Sequence, residues 1–173
     1  MTNFTPVIVK LRRGRQVMVR AIRADDRERL QAAIRALSDE SRYFRFMAAL
    51  KELPPGLVDL AIRPPDGRQL QLVAVTGEGS AETIVAGARY SSEAGSSDCE
   101  FAVAVTDEWH GLGLARRLLE LLIADARARG FARMEGYILA SNTRMLGLAR
   151  RLGFVVGPSP EDPSVRRVRR ELT

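Results

Sequence analysis

Residues 99–130 read CEFAVAVTDEWHGLGLARRLLELLIADARARG, and this stretch decides the fold of the chain. Residues 99–105 are apolar or small except for one carboxylate, Glu100, which predicts a short β-strand. The residues after Gly113 place leucine and alanine on one face at helical spacing, and Gly130 ends that pattern. The stretch therefore predicts a strand, a glycine-containing loop and an amphipathic helix in succession.

The loop within this stretch, HGLGLA at residues 110–115, predicts an anion site. Gly111 and Gly113 leave backbone with little side chain at the helix entrance, where N–H groups lack partners and the helix dipole is positive. A pyrophosphate suits such an entrance. No GK[ST] follows and the third glycine of GxGxxG is missing, which excludes both of those nucleotide motifs. On these residues alone, a plain turn with a glycine cap remains the alternative.

The charge of the chain is strongly basic. Its 173 residues carry a formal net charge of +6, supplied almost wholly by arginine, since Lys10 and Lys51 are the only lysines. Such charge attracts an anionic cofactor, an acidic acceptor or nucleic acid. The densest clusters, Arg12–Arg15 and Arg166–Arg170, lie near opposite ends of the chain, and no nucleic-acid motif is found. We expect no nucleic-acid partner, and an arginine-rich surface is the simplest explanation.

Cysteine content and hydropathy limit the cellular compartments in which the protein is expected. The single cysteine, Cys99, excludes an internal disulfide and is typical of a reducing compartment. No apolar run approaches the ~18 residues of a membrane span, and the start, MTNFTPVIVKLRRG, lacks a signal-peptide pattern. One histidine without a Cys/His cluster does not build a zinc site. We expect a cytoplasmic protein with no membrane partner and no metal.

The remaining sequence predicts a mixed α/β sheet, because strands come first and then alternate with helices. No repeat or linker divides the chain, so we expect a single domain over residues 1–173. Strands are predicted at 7–11, 16–22, 69–76, 82–90, 99–105, 133–139, 154–156 and 165–172, and helices at about 26–37, 38–47, 114–129 and 143–152. Asp25 or Asp26 can cap the first of these helices, and Ser38 starts the second with an incomplete capping box, since Ser41 stands where a Glu would complete it.

The motifs resemble those of the GNAT N-acetyltransferases. Glu100–Ala115 is similar to the acetyl-CoA-binding core of that family, whose loop signature Gln/Arg-x-x-Gly-x-Gly/Ala holds His110, Gly113 and Ala115 here. Asn142-Thr143-Arg144-Met145, followed by Leu148 and Gly153-Phe154, is similar to the second family signature. More narrowly, LSDESRYFRFM at residues 37–47 and the run to Gly153-Phe154 look like the GNAT domain of bacterial Pat-type protein-lysine acetyltransferases.

The resemblance implies a GNAT-like mixed, mostly antiparallel central sheet flanked by helices. The core would span about 16–157, with an N-terminal hairpin strand at 7–11 and a C-terminal strand at about 165–172. Acetyl-CoA is implied as the co-substrate. Its implied contacts are Val103, Ala104, Val105, His110, Gly111, Leu112, Gly113, Leu114, Ala115 and Asn142.

Within that set, the resemblance implies particular backbone and side-chain roles. The backbone of Val103–Val105 would pair with the pantetheine arm like an added strand, and an N–H near Ala104 would polarise the thioester carbonyl. An ordinary, fully paired strand is the alternative. His110 occupies the Gln/Arg slot and Leu112 a frequent Arg slot, which predicts a weaker grip on phosphate.

Glu100 is the candidate catalytic base. A lysine-type amine has a pKa of ~10.4, so freeing it at pH 7 costs about 4–5 kcal/mol, and a carboxylate can collect that proton directly or through water. A surface glutamate is the alternative. The tyrosine that many GNAT enzymes carry as general acid is replaced by Ala149. We expect Cys99 to face away from Glu100, and Trp109 to pack in the core.

Three functions agree with these residues. The leading hypothesis is an acetyl-CoA-dependent N-acetyltransferase that acts on a primary amine, preferably a protein lysine. A small-molecule amine or amino-acid N-acetyltransferase is the second. The third, of another class, is a non-catalytic acetyl-CoA-sensing module. The sequence leaves open the acceptor, the acyl-chain preference, the general acid and whether the chain forms an oligomer.

Overall fold

The computed structural model of the chain describes residues 4–173. Residues 1–3, which belong to the predicted domain span and to the start searched for a signal peptide, lie outside the described residues. Within 4–173 the strands are β1 (Val7–Lys10), β2 (Gln16–Ala21), β3 (Gln69–Thr76), β4 (Thr83–Ser91), β5 (Asp98–Val105), β6 (Arg133–Leu139), β7 (Val155–Pro158) and β8 (Val165–Glu171). The α-helices are α1 (Arg27–Ala36), α2 (Asp39–Phe46), α3 (Pro55–Ala61), α4 (Leu114–Ala128) and α5 (Thr143–Arg151).

These strands form one sheet in the order β1-β2-β3-β4-β5-β6-β8-β7. Neighbouring strands are antiparallel except β5 and β6, which are parallel and are joined through α4. The predicted mixed, mostly antiparallel sheet flanked by helices is therefore confirmed. None of the helices within residues 4–173 is long and apolar enough to cross a bilayer.

Helices cover both faces of the sheet and create two apolar cores. The larger core packs α4 and α5 against one face, with Leu118, Leu122 and Met134 fully buried. The smaller core packs α1 and α3 against the other face, around Ile34 and Val73. The strand β5 contributes to both, because successive side chains of a strand point to opposite faces.

The start of α1 differs from its prediction. Asp26 precedes the helix as expected, but its carboxylate does not cap it. Instead it accepts hydrogen bonds from Arg20 at 2.7 and 2.9 Å and from the Arg23 N–H at 2.7 Å, with no exposed surface. Glu82 also binds Arg20. Asp26 therefore ties α1 to β2 through a buried ion pair.

The parallel pair β5–β6 opens after three residues. Asp98, Cys99 and Glu100 are in register with β6, and the last of these pairs is Glu100 with Glu135. Beyond it, Phe101–Val105 remains paired with β4 only. The two strands diverge like the arms of a V, with Glu100 at the vertex, and α4 begins at the open end.

Candidate active site

A cleft of about 680 Å³ occupies the opening between β5 and β6 and continues to the start of α4. It brings together most of the residues that the sequence predicts as cofactor contacts. Those that line it are Val103, Ala104, Val105, His110, Gly111, Gly113, Leu114, Ala115 and Asn142. Leu112 and Glu100 are not among the lining residues; the Leu112 side chain is buried in the larger core.

The glycine loop presents unpaired backbone donors to the cleft. Gly111 and Gly113 have φ of +75° and +88°, a backbone region that glycine occupies at little cost. Among residues 4–173, none accepts a hydrogen bond from the backbone N–H groups of residues 111–116, and the first such bond beyond the loop runs from Arg117 to the Gly113 carbonyl. The loop and the N-terminus of α4 thus offer consecutive N–H groups to an anion.

The His110 ring is held by protein groups. Its Nε2 lies 2.7 Å from the Val105 carbonyl oxygen, and its Nδ1 lies 3.3 Å from Nη1 of Arg144. A carbonyl only accepts and a guanidinium only donates, so these contacts fit Nε2 as the donor and Nδ1 as the acceptor. In the Gln/Arg slot of the family loop, a histidine can still donate to a phosphate. In the structure the ring instead links the end of β5 to α5 and keeps no free donor.

Arginines around the loop are the residues that sequence reasoning missed. The Arg12 backbone N–H donates to the Leu112 carbonyl at 3.2 Å, and its Nη1 donates to the Gly111 carbonyl at 3.4 Å. Arg12, Arg116 and Arg144 all line the cleft. The cluster at residues 12–15 was the available signal, but no local pattern connects it with a loop 99 positions away.

Only alternate residues of β5 direct their backbone toward the cleft. Just past Val105, the Thr106 N–H donates to the Val85 carbonyl of β4 at 2.9 Å. Hydrogen-bonded positions recur at every second residue of an antiparallel ladder. The N–H of Ala104 therefore faces β4, whereas those of Val103 and Val105 face the cleft. A donor near Ala104 that faces the cleft is therefore the N–H of Val103 or of Val105.

The second motif places Asn142 at the start of α5. Its side-chain oxygen accepts from the Met145 N–H at 3.2 Å and so caps the helix, which leaves the amide nitrogen for the cleft. Ala149, which replaces the family tyrosine, has no exposed surface and belongs to the larger core. Leu148 lines the cleft instead. A tyrosine at position 149 would thus point into packed core.

Glu100 is exposed on the face of the sheet that carries α1, α2 and α3. Its neighbours partly desolvate the carboxylate, and this desolvation and the charge of Glu135 raise the pKa of Glu100, while Arg89 and Arg45 oppose the rise. Glu135 binds Arg167 at 2.8 Å. Glu100 has no ion pair within residues 4–173, so of the two carboxylates at the vertex it is the one free to take up a proton.

The predicted orientations of Cys99 and Trp109 are confirmed. Cys99 is 2% exposed in the larger core, on the face opposite Glu100, and burial raises its pKa to about 12. Trp109 is buried, with the Arg15 guanidinium 3.8 Å from its ring centroid. Tyr137 lies on β6 and lines the cleft. Within residues 4–173 no cluster of His, Cys, Asp or Glu is arranged to hold a metal ion.

A second, smaller cavity of about 250 Å³ lies between β3, β4 and β5 and the helices α1 and α3. Its walls are mostly apolar. Arg45, Ala102 and Ala104 line both this cavity and the cleft. The two spaces therefore meet at β5, on either side of the same strand.

The model of the acetyltransferase (GNAT) family matches residues 28–154. With this match over most of its length, the chain belongs to the GNAT family of acetyltransferases. Acetyltransferase PA5475 of Pseudomonas aeruginosa is 36% identical to it over 149 residues, which cover 86% of this chain and 80% of that protein. The resemblance to GNAT enzymes is thereby confirmed.

A solved structure and a longer relative agree with this assignment. The GNAT domain of S. lividans PAT superimposes with a TM-score of 0.88 at 31% identity, over 96% of each chain. Acetyltransferase Pat of Mycolicibacterium smegmatis is 29% identical over 157 residues, which span 87% of this chain and 45% of that protein. The chain is thus similar to the GNAT part of Pat-type acetyltransferases.

Proposed function

We propose that this acetyltransferase transfers an acetyl group from acetyl-CoA to a primary amine, and that a protein lysine is its preferred acceptor. The observation that carries the proposal is the unpaired N-terminus of α4 beside the opening between β5 and β6. A donor-rich helix end suits the pyrophosphate, and the free edge of β5 suits an extended, amide-containing arm. The lysine preference rests on the likeness to Pat-type relatives.

In this proposal the cleft residues divide into three roles. The N–H groups of residues 111–116 bind the pyrophosphate, and Arg12, Arg116 and Arg144 add positive charge at the mouth. Backbone groups of Val103 and Val105 align the pantetheine, and one of their N–H groups polarises the thioester carbonyl. Asn142 contributes its amide nitrogen. Because helix and strand hold these donors, they need little rearrangement on binding.

The transfer itself needs a free amine. Glu100 lies about 10 Å from Val103 along the strand, at ~3.3 Å per residue, so it accepts the amine proton through water. The amine nitrogen then bonds to the carbonyl carbon, the carbon–sulfur bond breaks, and the CoA sulfur takes up a proton. The raised pKa of Glu100 brings it closer to the operating pH, which makes it a better base than an ordinary glutamate.

Glu100→Gln tests this role. The variant keeps size and hydrogen bonding, so acetyl-CoA affinity should persist by calorimetry while kcat at pH 7 falls ~10²–10⁴-fold. The loss should shrink toward pH 10, where the amine deprotonates unaided. Glu171→Gln, which alters an exposed carboxylate paired with Arg133, is the matched control. Full activity at pH 7, or an equal loss at both pH values, would show that Glu100 is not the base.

The acceptor is tested by a screen with labelled acetyl-CoA against protein extracts and against small amines. Labelled protein lysines would support the Pat-like preference. A small-molecule acceptor is the second candidate, because the 250 Å³ cavity on the Glu100 face is too small for an extended chain segment. Binding of acetyl-CoA without transfer to any amine would indicate a sensing module instead.

A further inference from the structure

Two arginines without a carboxylate partner lie beside Glu100. Arg89 is on β4, opposite Ala102, and Arg45 is near the end of α2. Within residues 4–173, neither guanidinium forms an ion pair or a hydrogen bond; that of Arg45 lies 4.7 Å from the ring centroid of Phe46. The contrast with the bidentate Arg20–Asp26 pair in the same molecule is sharp.

Both arginine side chains are half-buried, and partial desolvation acts on both guanidinium groups. Burial, with the like charge of Arg89, lowers the pKa of Arg45 to about 10, and burial lowers the pKa of Arg89. Arginine is rarely buried unless it is paired, because desolvating a charge is unfavourable. Glu100 is close enough to influence both arginines but pairs with neither. The attraction of an added carboxylate would offset the desolvation of both arginines and the repulsion between them.

The arginines stand at the wall of the 250 Å³ cavity. The rest of the wall is mainly apolar, and includes Leu30, Ile34, Leu53, Leu57, Leu60 and Val73. Its volume is below the ~300–1,000 Å³ of drug-sized ligand sites, so it suits one small apolar group. Arg45 also lines the cleft. A molecule in the cavity can thus reach the strand along which the thioester is expected to lie.

We propose that this cavity is an acceptor subsite in which Arg45 and Arg89 bind a carboxylate close to the accepting amine, with the apolar part of the acceptor in the cavity. The proposal rests on the proposed acetyl transfer. Guanidinium groups bind carboxylates through two parallel N–H bonds, which fixes the position of the neighbouring amine. A free amino acid with an apolar side chain carries all three groups. An acidic residue beside a lysine supplies the same carboxylate chemistry.

The test compares leucine with leucinamide as acceptors. The amide keeps the side chain and has a less basic, more readily freed amine, so chemistry alone favours it. We expect kcat/KM for leucinamide to be about 100-fold lower because the carboxylate is missing. Arg45→Gln and Arg89→Gln should each raise KM for leucine about 10- to 100-fold and leave leucinamide unaffected. Arg150→Gln, which changes an exposed arginine that lines neither cavity, is the control.

Binding of the reaction products provides a readout that needs no turnover. N-acetyl-leucine should raise the melting temperature more than N-acetyl-leucinamide does, and Arg89→Gln should abolish the difference. If no amine is acetylated but this difference persists, the carboxylate subsite stands and the proposed transfer fails.

Peptides identify the source of the carboxylate. A preference for Asp-Lys over Asn-Lys peptides, with free leucine inactive, would support the subsite and assign the carboxylate to a residue beside the lysine. Equal use of leucine and leucinamide, together with equal use of the two peptides, overturns the proposal. The proposal is also overturned if Arg45→Gln and Arg89→Gln shift the kcat pH profile equally for every acceptor, because the arginines would then act only on Glu100.

Discussion

Gly113 and Gly130 stand at the two ends of α4 and allow a matched test of the anion site. Both have φ of +88°, and at neither would a Cβ atom meet another atom within 4 Å. Alanine therefore introduces the same backbone strain at both positions, about 1–2 kcal/mol of unfolding free energy. The two differ in one respect, since only Gly113 lines the cleft.

Gly113→Ala places a methyl group in the cleft beside the unpaired N–H groups of residues 111–116. A hydrogen bond to a charged group contributes about 1.5–3 kcal/mol. Displacing a phosphate from one such N–H should thus weaken acetyl-CoA binding by about 2 kcal/mol, or ~30-fold in Kd. Gly130→Ala should leave Kd unchanged.

Calorimetry gives Kd for both variants, and urea unfolding gives their stabilities. The expected pattern is an equal loss of stability and an unequal loss of affinity. If Gly113→Ala binds acetyl-CoA as the parent does, the loop is not the phosphate site. If both variants lose affinity alike, strain passing through α4 explains the effect, and steric exclusion does not.

Three further changes test other parts of the structure. Asp26→Asn should cost about 3–5 kcal/mol in urea unfolding, because it leaves Arg20 buried without its main partner. Burial acts to raise the pKa of Asp26, but its hydrogen bonds hold the pKa below the ordinary 3.8. The stability that Asp26 contributes is therefore complete above pH 3.8 and is lost as the pH falls through the pKa of the folded state. The Asp26→Asn variant should not show this loss of stability at acidic pH. Gly136→Ala would bring a Cβ atom within 2.5 Å of the Phe101 ring. It should lower the free energy of unfolding by about 1–3 kcal/mol in urea unfolding. An unchanged urea midpoint would mean that the ring moves freely. Partial desolvation and the charge of Glu135 raise the pKa of the half-exposed Tyr137, which keeps it protonated. If Tyr137 supplies the proton to sulfur, Tyr137→Phe should lower single-turnover rates ~10–100-fold without changing acetyl-CoA affinity.

Local patterns were sufficient to predict most of the elements. The strands predicted at residues 69–76 and 133–139 have the bounds that the structure shows. Ser38 at the start of α2 acts as the predicted cap, with its hydroxyl accepting from the Ser41 N–H at 3.1 Å. These features succeed because the interactions that decide them lie within a few residues of one another.

Long-range contacts decide what the sequence did not predict. The direction of the Ala104 N–H depends on its register with β4, and the His110 ring depends on Arg144, 34 positions away. In the sequence Asp26 is a typical helix cap, but in the structure its carboxylate binds Arg20 and does not cap α1. The ion pair is favoured because a buried charge without a partner is unfavourable. None of these long-range contacts produces a local periodicity in the sequence from which it could be predicted.

The surroundings of Glu100 connect the base with the proposed acceptor subsite. Arg89 and Arg45 oppose the rise in the pKa of Glu100, so in the free enzyme they favour its charged form. A carboxylate bound to the two arginines would neutralise that influence and leave burial and Glu135 to raise the pKa further. Glu100 would then become a stronger base when an acceptor is in place. On this reasoning, the two unpaired arginines keep Glu100 ionised until the carboxylate of a substrate binds to them.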